Sequence, residues 1–496
     1  VTTFLATSAA ICVLAAAGLL PVVAGVGWRW HVVPLAPLAG SVVAAVSATA
    51  SLSFGGALMS WFVGLAALAA AAVFGLWVVR PDLGPRSRSD AVVGRTDRWV
   101  GVTGFVLVVA ACVWSLRGLR TPTVGFDARA LWVMRPGWFL QSHAQLLIDL
   151  KARSLVLTQS AYPPLVSASS AVAWKLTGVH TARLGVTTVG VLNACALAAA
   201  ALAVLECGRT AARRVPRAWP AGVVGSAGAV LLVLVAAGVT EPFLTNGYAD
   251  PLWSSAAVGA VAFGLQLRSD PSARAAAVVL VLVAGSTKNE GLVTALALVV
   301  LIAARSIGRV GLRGPRPRWI VPLVVAGCEL ALLAWWPILM KSIGARGATS
   351  TFTASTDLAH RTSATIHGMS PYLHVLVLAL PLSVVGGVVL RRVRRDAGVG
   401  NDLWAWLALA TGLAAVGAAL VTGSGAIGPW ILSTVHRITE YPILQGWWIV
   451  GVWAVVAGAG AAGGGGGGGG VVPRPAQEPV TTADALPAAD LAGVAS

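Results

Sequence analysis

The 496-residue chain is 57% hydrophobic and 11% charged, with a mean hydropathy of +0.81. A soluble domain carries roughly 25% charged residues, so water is excluded as the main solvent and lipid takes its place. The net charge of +17 does not point to nucleic acid, because the basic residues fall in short clusters between apolar runs, as in membrane proteins.

Within lipid only helices and closed barrels satisfy the backbone. The apolar runs are long and unbroken rather than alternating, which selects helices. The predicted fold class is therefore an all-α integral membrane protein, a multi-span bundle of about 11–13 helices with a long external loop that contains interfacial helices.

In chain order, runs long enough to span fall near 3–27, 34–54, 55–79, 99–117, 181–206, 219–239, 251–267, 319–340, 371–390, 403–422 and 443–461. The first lacks a basic leader and reads as a retained helix. A longer run over 275–304 is interrupted by Lys288-Asn289-Glu290-Gly291, which predicts two short helices meeting at one membrane surface. Five arginine-rich clusters, at 80–98, 209–217, 268–274, 305–318 and 391–395, are expected on the cytoplasmic side. This requires that 161–178, with Lys175 and the Pro163-Pro164 pair, does not span, so it is predicted to lie on the outer surface as an interfacial helix within an external loop 118–180. Three regions follow: N-terminal helices with a basic loop (1–98), a main bundle (99–461), and a Gly-rich disordered cytoplasmic tail (462–496). The five cysteines show no metal or disulfide spacing and read as small apolar filler.

This threading places the polar exceptions on the external side, where ionisable groups facing a bundle are candidates for function. Asp127, in Gly125-Phe126-Asp127-Ala128-Arg129, could accept a proton from a hydroxyl, or could be a solvated loop acid paired with Arg129. In Tyr162-Pro163-Pro164-Leu165 the prolines fix a turn and start a helix. Asp250, before Pro251, could cap the next helix or face a ligand. Lys288 and Glu290 lie inside an apolar hairpin and must pair with each other or engage a ligand such as a phosphate. His436 and Arg437 precede the last span, where Arg437 suits a phosphate fork or an interfacial anchor. Glu329, alone within a span, is assigned no catalytic role.

The order of these motifs resembles bacterial GT-C type membrane glycosyltransferases, which use polyprenyl-phosphate-linked sugars. The resemblance covers roughly 99–461. It rests on Asp127 followed by Leu131-Trp132, on Tyr162 to Leu165, on Lys288 to Gly291, and on His436-Arg437 with Pro442. It implies a GT-C-like core in a bacterial inner (plasma) membrane, with its active site on the external face. There a sugar would pass from a polyprenyl-phosphate carrier to an acceptor hydroxyl on a glycan or lipid, with membrane lipids as further partners and no nucleic acid. The resemblance gives Asp127 the role of general base and Lys288 and Arg437 that of holding the phosphate. Arg129, Tyr162, Asp250, Glu290 and His436 are the remaining substrate-binding candidates. No cofactor is predicted; a divalent metal is possible but unsupported, because Ala128 follows Asp127 and position 161 is alanine. The alternative function is a multi-span transporter or lipid-carrier flippase, which would favour inverted repeats and broken helices at the midplane. No internal repeat is visible.

Overall fold

A computed structural model of the protein describes residues 2–27, 29–79, 95–125, 128–129, 134–152, 160–214, 219–240, 243–266, 271–310, 319–345, 358–389, 402–422 and 435–464. Every regular element among them is a helix. The longer helices are α1 (Thr2–Val26), α2 (Val32–Phe54), α3 (Leu58–Val79) and α4 (Arg95–Ser115), the last continued by a 3-10 turn over Leu116–Arg120. The short helices α5 (Arg135–Trp138), α6 (His143–Lys151) and α7 (Leu165–Thr177) follow, and then α8 (Ala182–Arg214) and α9 (Trp219–Thr240). Helix α10 (Asp250–Val261) runs into a π-helical turn, Ala262–Gln266, and is followed by α11 (Pro271–Thr287), α12 (Asn289–Val310) and α13 (Ile320–Ser342). The last are α14 (Leu358–Met369), α15 (Val375–Val389), α16 (Asp402–Thr422) and α17 (Glu440–Gly464).

The chain is a multi-span helical membrane protein. Eight of the described helices are long and apolar enough to cross a membrane, or nine if α14 and α15, bent by 76°, form one span. That is fewer than the sequence suggested. A 30 Å hydrocarbon core needs about 20 helical residues, and several of the apolar runs form helices that fall short. Helix α10 has 12 residues, α11 has 17 and α15 has 15. The interrupted run over 275–304 also departs from expectation, because α12 alone has 22 residues and is a full span.

The bundle packs through small residues. Where α1 crosses α2, a side chain on Gly18 would meet the Ala36 carbonyl, and one on Gly40 would meet the Leu14 carbonyl. Lipid tails provide no hydrophobic drive between helices, so such close backbone approach supplies the dispersion contact. Helix α10 is central, with every residue from Asp250 to Val261 buried. Helix α7 is a correction. From Leu165 to Trp174 it has no exposed residue, and it packs against α1, α2 and α8 rather than presenting one face as an interfacial helix would. Its run Ser167-Ala168-Ser169-Ser170-Ala171 is small enough on all sides to be enclosed, whereas an interfacial helix needs one wet face.

Short connections make successive spans antiparallel, and cross-helix contacts fix which termini share an end. At one end, the Thr7 and Thr187 hydroxyls meet at 2.7 Å, Asn193 donates to the Leu244 and Tyr248 carbonyls, and Trp336 donates to the Ala161 carbonyl. At the other end Arg209 lies against Gly101, and the Arg305 guanidinium stands 5.8 Å from the Trp404 ring centroid. The ends of α8 and α12 that lead toward two of the arginine-rich clusters are thus at this second end. Residues 80–94, 215–218, 267–270, 311–318, 390–400 and 465–496, which hold much of those clusters and the C-terminal tail, lie outside the described residues.

Candidate functional site

The first end of the bundle holds a buried group of charges. Asp250 is the first residue of α10, with Pro251 behind it, where a missing N–H and a fixed φ suit a helix start. It does not cap that helix; Ala249 occupies the cap position with no side-chain bond. The Asp250 carboxylate instead accepts from Lys288 Nζ at 2.6 Å, with the two side chains only 2% and 5% exposed.

Lys288 is the single residue between α11 and α12. That break brings the two helices close, and Gly291 is what allows it, since a Cβ there would strike the Ala284 carbonyl and lie 3.0 Å from Trp253 Cβ. Glu290 Oε1 is 3.8 Å from the same ammonium. Burial lowers the proton affinity of Lys288, but the Asp250 and Glu290 carboxylates more than reverse this and hold it above the ordinary lysine range. The hairpin charges therefore neutralise each other in part, as one of the two sequence readings required.

Arg437 arrives from the helical turn before α17. Its Nη1 is 3.9 Å from Asp250 Oδ2, and its Cζ is 4.8 Å from the Tyr248 ring centroid, a cation–π distance. Phe243 stands 5.1 Å from both Tyr248 and His436, which builds an aromatic wall beside the guanidinium. Burial, and then the neighbouring Arg437 cation, hold His436 below the ordinary histidine range. One turn along α10, the Ser254 hydroxyl donates to Glu440 Oε2 at 3.0 Å, while the buried Glu440 Oε1 has no partner. Asp250 thus has Lys288 and Arg437 on its two oxygens and Glu440 near its helix.

Tyr162 is half-buried and within electrostatic reach of Lys288. Its carbonyl accepts from Arg135 Nη2 at 2.8 Å, and the Ser160 carbonyl accepts from the same nitrogen at 3.5 Å. Arg135 is fully buried, with Nε and Nη1 unpartnered, and burial pulls it down to about 9. It acts as a strut that fixes the Tyr162-Pro163-Pro164 turn.

Asp127 lies outside the described residues, as does Phe126. Their described flanks dock on the turn before α10. Gly125 N–H donates to the Asn246 carbonyl at 3.1 Å, and a side chain on Gly125 would overlap the Tyr248 ring. Gly247 adopts φ +87°, the left-handed conformation that a glycine tolerates, and a Cβ on it would stand 3.1 Å from Ala128 Cβ. Arg129 is exposed, unlike the buried group.

Of the predicted substrate-binding residues, Tyr162, Asp250, Lys288, Glu290, His436 and Arg437 are brought together, and Arg129 is not. Glu440, Ser254, Tyr248 and Arg135 belong to the same neighbourhood and were not selected from sequence. Glu440 and Tyr248 carried a usable signal, since Tyr248 stands two residues before Asp250 and Glu440 three residues after Arg437. Ser254 looks like any small helix residue, and Arg135 like any loop arginine. Glu329 is buried within α13. Among the described residues, no three His, Cys, Asp or Glu side chains are grouped to hold a metal ion. Comparison with protein-family models, curated proteins and solved structures returns no match for this chain.

Proposed function

We propose that the chain is a membrane glycosyltransferase that moves a sugar from a polyprenyl-phosphate carrier to an acceptor hydroxyl on the external face of a bacterial plasma membrane, in the assembly of cell-envelope glycan or glycolipid. The observation that carries this reading is the convergence of chain-distant residues. Asp250, Lys288 and Arg437 stand within 4 Å of one another's charged atoms in pairs through Asp250, with Tyr162 and His436 beside them.

In this reading the acceptor oxygen attacks the anomeric carbon as Asp127 takes the hydroxyl proton. The bond from that carbon to the phosphate oxygen breaks, and the carrier phosphate leaves with the electron pair. A positioned base of this kind contributes about 10²–10⁴-fold. Positive charge fixed in advance near the departing phosphate lowers the barrier without reorganisation. Arg437 and Lys288 are the two cations assigned to that task, at 3.9 Å and 2.6 Å from the Asp250 carboxylate. Asp250 and Glu290 then hold the cations in place.

The test uses the full chain reconstituted in lipid with radiolabelled polyprenyl-phosphate sugars and membrane acceptor extract. Label is expected in the acceptor, with carrier phosphate released in equal amount. Label that stays on the carrier across a panel of hexose and pentose donors, with acceptor shown to be present, would remove the transferase reading.

A further inference from the structure

A groove of about 910 Å³ opens between the start of α1, the end of α4 with its 3-10 turn, and the start of α8. That volume lies in the upper range for small-molecule sites. Its lining includes the apolar Ile11, Cys12, Val113 and Val191 and the three arginines Arg117, Arg120 and Arg183. From Thr3 to Ile11 the lining residues of α1 extend over eight helical residues, about 12 Å along the axis. The Thr7–Thr187 hydrogen bond of 2.7 Å ties α1 to α8 beside it.

Two features of the arginines need a cause. They stand at the same end of the bundle as Thr7 and Thr187, away from the end where Arg209 and Arg305 pack, so the usual basic bias of one membrane side does not account for them. Among the described residues that line the groove there is no carboxylate. The Arg117 guanidinium lies 3.8 Å from the Trp114 ring centroid, and Arg183 donates to the Arg120 carbonyl at 2.9 Å. Three exposed cations thus line an apolar groove, two of them, Arg117 and Arg183, with their guanidinium groups held by a neighbour. An acyl chain matches the apolar lining, and a headgroup with net negative charge matches the arginines, since a zwitterion would bring its ammonium against them.

We infer that this groove is a binding site for an anionic membrane phospholipid, with the phosphodiester at Arg117, Arg120 and Arg183 and an acyl chain along α1 and α8. The site is separate from the Asp250 group and stands whether or not the chain transfers sugars. On the same 3-10 turn Gly118 abuts Thr245 in the segment before α10, and Leu119, which also lines the groove, lies against Gly190 of α8. A lipid clamped at Arg117 and Arg120 would steady the segment that leads to Gly125.

The full chain, purified in mild detergent, is exposed to equal amounts of phosphatidylglycerol and phosphatidylcholine, washed, and its retained lipid measured by mass spectrometry. The natural chain should retain phosphatidylglycerol preferentially, and Arg120→Gln with Arg183→Gln should reduce that preference about tenfold or more. Cys12→Trp, which fills the slot without touching its charge, should reduce retention of phosphatidylglycerol with the arginines intact. Equal ratios in the natural chain and the arginine variant would overturn the proposal. So would displacement of phosphatidylglycerol by polyprenyl phosphate one for one, which would give the groove to the sugar carrier instead.

Discussion

Asp250→Asn is expected to destabilise the folded chain by about 3–5 kcal/mol, the usual effect of removing one partner from a buried ion pair. The amide leaves Lys288, 5% exposed, with only Glu290 at 3.8 Å, and leaves Arg437 without the carboxylate at 3.9 Å. Most of the effect is the burial of uncompensated charge, so removing the second charge should relieve it. The double variant Asp250→Asn with Lys288→Met is expected to lose less stability than the sum of the two single losses, by at least about 1 kcal/mol. Denaturation of the detergent-solubilised chain reads both quantities. Single losses below about 1 kcal/mol, or strict additivity, would show that this pair does not hold α10 to the α11–α12 break.

Asp127→Asn is expected to lower sugar transfer by about 10²–10⁴-fold, the contribution of a positioned general base. Carrier binding should remain, because the phosphate contacts are assigned to Arg437 and Lys288 rather than to Asp127. Arg437→Met should give the opposite pattern, with weaker carrier binding as well as slower transfer. Steady-state transfer alongside retention of labelled carrier separates the two. Transfer unchanged in Asp127→Asn, with the protein folded, would keep the reaction class but reassign its base. Loss of carrier binding in that variant would show that Asp127 positions the donor.

Much of the helical layout was legible because long apolar runs and their interruptions are one-dimensional signals. The helix ends near Val26, Phe54, Ser342 and Thr422 follow the composition closely. The single-residue break at Lys288 was legible for the same reason, since a charged turn inside an apolar run is costly unless it is paired. Span number was less legible, because hydropathy does not register that α10 stops after 12 residues at a π-helical turn. Burial of α7 was missed because Lys175 and the prolines look interfacial, while enclosure by α1, α2 and α8 depends on partners far along the chain.

At the site, Asp250, Lys288 and Arg437 stood out as charges beside apolar runs, but their pairing could not be read. The choice of Asp250 over Glu290 as the main partner of Lys288 depends on how α10 packs against α11 and α12. Arg135 shows the limit more sharply. Nothing in Met134-Arg135-Pro136 distinguishes it from the other loop arginines, yet it is fully buried and holds the Ser160 and Tyr162 carbonyls.

The most direct test of the central claim uses vesicles that carry the labelled polyprenyl-phosphate sugar in one leaflet only, with acceptor on the same side as the Asp250 end of the reconstituted chain. The proposed transferase predicts that labelled acceptor and free carrier phosphate accumulate together on that side, one for one, while intact donor stays in its leaflet. Intact donor crossing to the opposite leaflet, with no labelled acceptor formed, would contradict the account and identify a lipid-carrier flippase instead.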